Sequence, residues 1–260
     1  MLRTTPAHRV ATHMFYKSGP LQGAVYKGMW LKGKMHGDGQ IMWADGKVYT
    51  GQFSDGVIKG YGKMVSKIDG KVESIEGHWI NGKLHGFAKA RYANGDFYTG
   101  FYKDHQFNGH GVLKQKSTSS VYIGEWKNGR KHGYGVLDIK GEKYLGQWCR
   151  DTKQGPALQI TLDGSYMEGT FHNNKLIGQG LIMTSDDTYY EGNFTGLNEV
   201  NGRGVMMMST GDSITGTFDG SWATGIKVTG VYSKASPTED TVSLFSTHLF
   251  LFPRLLMFLL

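Results

Sequence analysis

The sequence predicts an all-β chain: an elongated, single antiparallel sheet of about nine stacked β-hairpins, with little or no helix before residue 240. Three observations carry this expectation. First, the stretch Tyr26–Gly39, YKGMWLKGKMHGDG, recurs in looser copies that start at Tyr49, Ile75, Tyr98, Tyr122, Tyr144, Met167, Tyr190 and Ile214. The steps are 23, 26, 23, 24, 22, 23, 23 and 24 residues, and a fixed period in this range marks a repeat architecture. Second, each copy opens with an aromatic, Gly, aromatic alternation at period two, which is the period of a strand with one filled face. Third, every copy carries two turn signals, so each reads as two strands and successive copies extend one ribbon.

Taken in order, the first strand of a copy is marked by Tyr26, Gly28 and Trp30; Tyr49, Gly51 and Phe53; Tyr98 and Gly100; Tyr122, Gly124 and Trp126; Tyr144, Gly146 and Trp148; Tyr190, Gly192 and Phe194. The glycines fall on the aromatic face, where a missing side chain leaves room for a neighbouring ring. The turn inside the copy carries Gly33, Gly56, Gly82 or Gly129, and the second strand opens with pairs such as Gly37 and Gly39. A second turn closes the unit with Asp45-Gly46, Asp69-Gly70, Asn94-Gly95 or Asp163-Gly164, dipeptides suited to positive φ.

The irregular copies carry local expectations. Lys71–Ser74 lengthens one hairpin, and Lys116–Ser120 reads as a flexible excursion. Pro156, beside an Ala157 that replaces the second glycine, predicts a local bulge or edge. Met206–Met208 reads as core, and residues 226–232 as a final strand. Residues 1–15 read as a disordered or truncated lead-in, 16–236 as the repeat array, and 237–260 as an apolar tail outside the repeat fold. That tail, with Pro253 and Arg254 inside it, is shorter than the roughly 20 apolar residues of a spanning helix.

Composition narrows the classes. Glycine, 39 of 260 residues, is about twice ordinary usage, and the repeat accounts for it. The lone Cys149 rules out an intramolecular disulfide, suits a reducing compartment and reads as a small apolar filler. The formal net charge of +7 is distributed unevenly. Turns inside copies carry Lys32, Lys34, Lys83, Arg130, Lys131, Lys153 and Lys175, whereas turns between copies carry Asp45, Asp69, Asp163, Asp186, Asp187 and Asp212. A meander puts the two sets on opposite edges, which predicts a cationic ridge with a step of about 10 Å. Such a ridge suits anionic lipid headgroups or an acidic protein, or simply keeps hairpin tips soluble.

No constellation points to chemistry. The Gly-x-Gly pairs do not continue into a phosphate-binding loop. His36, His85 and His132 occupy one slot in alternate copies, about 19 Å apart on strand spacing, too far to share an ion. Glu125, Glu168 and Glu191 are solvent-side strand positions and not a convergent pair. No catalytic residue, metal site or cofactor is expected. The aromatics recur at core spacing, which disfavours stacking on nucleic-acid bases. Asn193-Phe194-Thr195 matches a glycosylation sequon by coincidence, because Phe194 sits in an aromatic slot.

The copies resemble the MORN repeat, a membrane-occupation-and-recognition-nexus motif, over roughly Tyr26 to Gly230. Their order and irregularities look like the MORN block of the alsin family, carried by GEKYLGQW at 141–148, LIMTSDDTYYEGNF at 181–194 and GTFDGSWATGIKVTGVYSKAS at 216–236. In that family the block lies between a DH-PH module and an exchange domain for early-endosomal Rab GTPases. The resemblance implies a non-catalytic, cytoplasmic scaffold in Rab regulation, peripheral on endosomal membranes. Its implied partners are longer alsin-like chains or itself, and a chain ending at 260 leaves no room for the exchange domain. A peripheral phospholipid-binding module is the alternative.

Overall fold

The computed structural model describes residues 9–66 and 72–235, and among them it contains strands and turns but no helix. Asp69-Gly70, the lead-in before residue 9 and the apolar tail lie outside the described residues. The chain divides after Arg130 into two compact units.

In the first unit the strands are β1 (Arg9–Met14), β2 (Val25–Leu31), β3 (Lys34–Met42), β4 (Val48–Ser54), β5 (Val57–Val65), β6 (Val72–Ile80), β7 (Lys83–Tyr92), β8 (Phe97–Lys103), β9 (Gln106–Gln115) and β10 (Ser120–Lys127). Each pairs antiparallel with the next. The second unit holds β11 (Arg130–Ile139), β12 (Glu142–Cys149), β13 (Thr152–Ile160), β14 (Tyr166–His172), β15 (Lys175–Met183), β16 (Tyr189–Phe194), β17 (Glu199–Met207), β18 (Ser213–Ser221) and β19 (Gly225–Ser233), again paired in sequence order. The even-numbered strands from β2 begin the nine copies, as the period predicts.

An isolated sheet has no second layer to cover its apolar face, so it must build a core from its own side chains. Here the first aromatic of the copy lies flat along its own hairpin. The Tyr26 ring covers the paired glycines Gly28 and Gly39; a Cβ at Gly28 would come within 2.5 Å of the Tyr26 hydroxyl, and one at Gly39 within 2.6 Å of its Cε2. One ring therefore uses the space left by both glycines, on its own strand and on the neighbour. Tyr26, Tyr49, Tyr98 and Tyr190 are fully buried as a result.

The ring also answers a backbone problem. The ladder is interrupted between Gly28 and Trp30, and the same irregularity recurs between Gly51 and Phe53, Gly77 and Trp79, Gly100 and Tyr102, Gly146 and Trp148, Gly169 and Phe171, and Gly192 and Phe194. On the opposing strand Gly37 takes the extra length at φ 61°, a left-handed conformation that a side chain resists. The residue between glycine and aromatic loses its partner, and the tyrosine hydroxyl donates to its carbonyl: Tyr26 to Met29 at 2.9 Å, Tyr49 to Gln52 at 3.3 Å, Tyr98 to Phe101 at 3.2 Å and Tyr144 to Gln147 at 2.9 Å. The two glycines of Gly-x-Gly thus have separate duties, the first in the bulge and the second beneath the ring. The bulge is general, so the one in the Pro156 copy is not caused by that proline.

The Asp-Gly and Asn-Gly turns carry the positive φ expected of them, at Gly46, Gly95 and Gly164. Two left-handed residues occur in seven of the turns inside copies, such as Lys32 and Gly33 at φ 50° and 75°, and also in the Lys140-Gly141 turn between copies. The Asp-Gly turns between copies have only the glycine left-handed, as a three-residue loop does. Their acids cap their own backbone: Asp45 accepts from Lys47 N–H at 3.0 Å and Asp163 from Ser165 N–H at 3.0 Å. These bonds hold both carboxyls below the usual carboxylate range, the Lys47 side chain acting first at Asp45 and the Thr161 hydroxyl first at Asp163.

Two further expectations are corrected. Arg9–Met14, assigned to the lead-in, forms β1 against β2. Lys116–Ser119 is a tight turn, not an excursion, because Asp96 accepts from Lys116 N–H at 2.9 Å and Ser120 is buried.

Candidate functional site

The aromatic face is the feature from which any function must be built. In the first unit the rings contact edge to face: Trp30 with Tyr26 at 5.2 Å, Tyr26 with Phe53 at 5.0 Å, Phe53 with Tyr49 at 5.3 Å and Tyr49 with Trp79 at 5.6 Å. Each such pair contributes about 0.5–1.5 kcal/mol beyond its buried area. The indole N–H groups add a second link. Trp79 donates to Gly62 O at 3.1 Å and Trp126 to Gly111 O at 3.3 Å, each to the glycine of the preceding copy that faces its own strand. Trp30 donates to Ala11 O of β1 at 3.2 Å, where Ala11 pairs with Gly28. So β1 takes towards β2 the place that the second strand of one copy takes towards the first strand of the next. The sequence hid this because Ala11 replaces the Gly-x-Gly mark.

In the second unit the same ladder runs through Trp148 and Tyr144 at 5.0 Å and Tyr144 and Phe171 at 5.2 Å, but two slots have changed character. The residue that enters the second strand and faces the rings is Met35, Ile58, Leu84, Phe107, Leu176 or Val200 in other copies, and here it is Lys131 and Lys153. Lys131 Nζ lies 4.9 Å from the Trp148 ring centroid; Lys153 Nζ lies 4.6 Å from Tyr144 and 5.8 Å from Phe171. A third slot changes with them. The residue opposite the next copy's first aromatic is Ile41, Met64, Ala90, Leu113, Leu137 or Ile182 elsewhere, and becomes Gln159 opposite Met167. Gln159 Oε1 accepts from Lys153 Nζ at 2.8 Å.

Burial among the rings pushes the Lys153 ammonium down to about 8, with Glu142 opposing the shift and Lys131 adding to it. Burial lowers Lys131 as well, against the pull of Asp151. A cavity of about 40 Å³ opens beside Lys153, between Leu137, Glu142, Tyr144 and Gln159.

The seven cations of the expected ridge therefore separate. Lys32, Lys34, Arg130 and Lys175 are exposed at or beside hairpin tips. Lys83 pairs with Asp104 at 3.6 Å. Lys131 and Lys153 leave the edge altogether, because the strand alternation that starts after the turn points them at the rings. Sequence reasoning missed this by reading them as turn residues, although their alignment with Met35 and Leu84 was available.

The backbone of Lys153 is also held. Asn174 Oδ1 accepts its N–H at 2.8 Å, and Asp151 Oδ1 accepts that of Lys131 at 2.8 Å. Asn174 and Asp151 are left-handed at φ 68° and 71°, in the turn position held by glycine in other copies. Cys149, expected as filler, is exposed. Asn193 of the sequon donates to Asn201 O at 2.6 Å, beside the buried Phe194. Among the described residues no group of three or more His, Cys, Asp or Glu is placed to hold a metal ion, and no helix is long and apolar enough to cross a membrane.

The family model for the MORN repeat matches residues 26–48, 49–69, 76–97, 98–117 and 122–140. Human alsin is 42% identical over 243 residues, covering 90% of this chain and 15% of alsin. The human ALS2 C-terminal-like protein is 31% identical over 135 residues, 51% of this chain and 12% of that protein. Among solved structures, the TCP domain of Sas-4 (dCPAP) from Drosophila melanogaster, in complex with a proline-rich motif of Ana2, aligns at 13% identity and a TM-score of 0.34, covering 69% of this chain and 83% of that one. That likeness is too slight to carry an argument.

Proposed function

This chain carries MORN repeats and is similar to alsin along most of its length, and from that premise we propose that it is a non-catalytic scaffold through which an alsin-type protein associates with protein partners. The process proposed is the regulation of endosomal Rab GTPases that the family resemblance implies, at the cytoplasmic surface of endosomes. Longer alsin-like chains and further copies of this one are the proposed partners. The chain spans 15% of the length of the human alsin it matches, so the exchange chemistry of that family is no part of the role proposed.

The observation that carries the reading is the extent of the likeness, 42% identity over 90% of the chain. The placement of charge supports a protein partner over a lipid surface. Two of the seven cations face rings and one is paired, which leaves a sparse set at the tips in place of a continuous ridge. Sparse exposed lysines contribute about 1 kcal/mol each near an anionic leaflet and are screened by salt.

Sedimentation of the full chain with phosphatidylserine vesicles at low and moderate salt tests this reading. The scaffold predicts no salt-sensitive binding that depends on Lys32, Lys34, Arg130 and Lys175. Binding that falls when those four are neutralised would replace the scaffold with a lipid-binding module.

A further inference from the structure

The face of the sheet opposite the tyrosine ladder is built from residues that lie between the marks of the repeat, and in several copies they are polar. On the row across the middle of the strands Asp38 pairs with Gln52, Gln179 with Asn193 and Arg203 with Thr217. Where this row holds a tyrosine, its hydroxyl is bonded: Tyr61 donates to Glu76 at 2.7 Å, and Tyr134 accepts from Gln147 at 2.6 Å. The pair on β7 and β8 has no such outlet. Phe87 faces Phe101 with ring centroids 5.8 Å apart, and the two are 47% and 48% exposed. Val112 of β9 pairs with Thr99, two residues before Phe101, and so lies diagonally across from that ring. On its other side Val112 pairs with Ile123 of β10, itself 43% exposed. Apolar side chains thus meet water on four consecutive strands, and a contiguous patch, unlike a single exposed residue, marks a contact surface.

The charge around the patch has one sign. Strand alternation puts Lys89 and Arg91 on this face of β7, Lys103 on that of β8, Lys114 on that of β9 and Lys127 on that of β10. All five are exposed, and among the described residues none has an ion-pair partner. Glu125 is the only acid within the four strands. The acids of the flanking turns are engaged, Asp96 by the Lys116 N–H and Asp104 by Lys83. A partner that covers this face therefore brings apolar side chains for the centre and carboxylates for the rim. Its backbone cannot join the sheet here, because β7, β8 and β9 are each paired on both sides. It must satisfy its own N–H and C=O groups, which a helix does. Four strands span about 14 Å at a spacing of about 4.8 Å, the length of about ten helical residues. The apolar side chains sit in the body of the strands, half covered by their neighbours. They offer a surface to be covered and no protruding wedge to enter an acyl layer.

Resting on the protein-scaffold reading above, we infer that the face carrying Phe87, Phe101, Val112 and Ile123 docks an acidic amphipathic helix of a partner protein. Apolar residues of that helix cover the phenylalanines, and its Asp or Glu side chains meet Lys89, Arg91 and Lys114. Covering the rings supplies the affinity, and the charges fix orientation and suppress basic competitors.

The test is selection of a displayed library of random sixteen-residue peptides on the immobilised full chain, with the affinity of recovered peptides measured against three variants. F87T and F101T keep a strand-forming residue and remove the ring, and K89E with K114E in one chain reverses charge at the rim. The docking face predicts recovered peptides with Asp or Glu beside apolar residues at intervals of three and four. It predicts binding at least tenfold weaker to all three variants, and recovery on the K89E and K114E chain when the acids of the peptide are changed to lysine. Peptides that carry no acid, or that bind F87T and F101T as tightly as the parent, would overturn the docking face and leave the scaffold standing. Recovery of no peptide would count against both. Phosphatidylserine vesicles that bind the parent but not F87T or F101T would overturn it in favour of a lipid contact. Thermal melts separate a lost ring contact within the sheet from a lost partner. If the ring substitutions unfold the chain, the charge-reversed variant, which leaves the rings intact, decides alone.

Discussion

Lys153 Nζ stands 4.6 Å from the centroid of the Tyr144 ring, in a slot where Leu176 of the next copy is wholly buried. The ammonium is pushed down to about 8 from an ordinary value of 10.5, chiefly by burial, with Lys131 and Glu142 as the charges that face it. Between those two pH values the unfolded chain binds more protons than the folded one, so stability rises with pH across the window and is lowest below it. Lys153→Met removes that slope. It is expected to raise stability at pH 7 by about 1–2 kcal/mol, after allowance for solvent at the ammonium. Denaturant titrations at pH 7 and pH 10 check both parts.

The ring over the glycine pair makes a second prediction by contrast. Gly39→Ala sets a methyl group against the Tyr26 ring, whereas Gly33→Ala at φ 75° meets no atom within 4 Å. The first is expected to cost about 2–3 kcal/mol and the second about 1 kcal/mol, the left-handed penalty alone. Tyr26→Phe keeps the ring but leaves the Met29 carbonyl without its hydroxyl, at about 1–2 kcal/mol. Urea midpoints of the three variants give the order.

In three copies the turn glycine is replaced by a left-handed residue whose side chain accepts a backbone N–H: Asn174 from Lys153 and Asp151 from Lys131, each at 2.8 Å, and His105 from Leu84 at 3.4 Å. Asn174→Ala loses the acceptor and keeps the left-handed strain, at about 2 kcal/mol; Asn174→Gly loses the acceptor but relieves the strain, at about 1 kcal/mol. Amide exchange at Lys153 should accelerate in both variants. Unchanged exchange would show that the bond carries no weight.

Strand β1 is tied to β2 by the bond from Trp30 to Ala11. Removing residues 1–14 exposes that indole and the unpaired side of β2, an open strand edge. Lower thermal stability and concentration-dependent association are expected, the latter visible by light scattering. Trp30→Phe in the intact chain separates the lost hydrogen bond from the lost strand.

Most of the fold was legible because its rule is written nine times. Period, alternation and paired turn signals fixed the hairpins, and the aromatic slots gave the core. What escaped was written once, or not in residue type. Ala11 carries no glycine mark, so β1 merged with the lead-in. The bulge beside Pro156 belongs to a register that recurs in the other copies and that residue type does not show, so the proline alone suggests a cause it does not supply. The charge of Lys131 and Lys153 points to an edge, while strand alternation decides their direction. Their charge suggested solvent, and the geometry gave them rings.

The central claim is association with protein, and sedimentation velocity of the purified full chain mixed with full-length human alsin tests it most directly. The account predicts one boundary that moves faster than either component and persists at moderate salt. Two boundaries that keep the rates of the separate proteins, at every ratio and concentration, would contradict it.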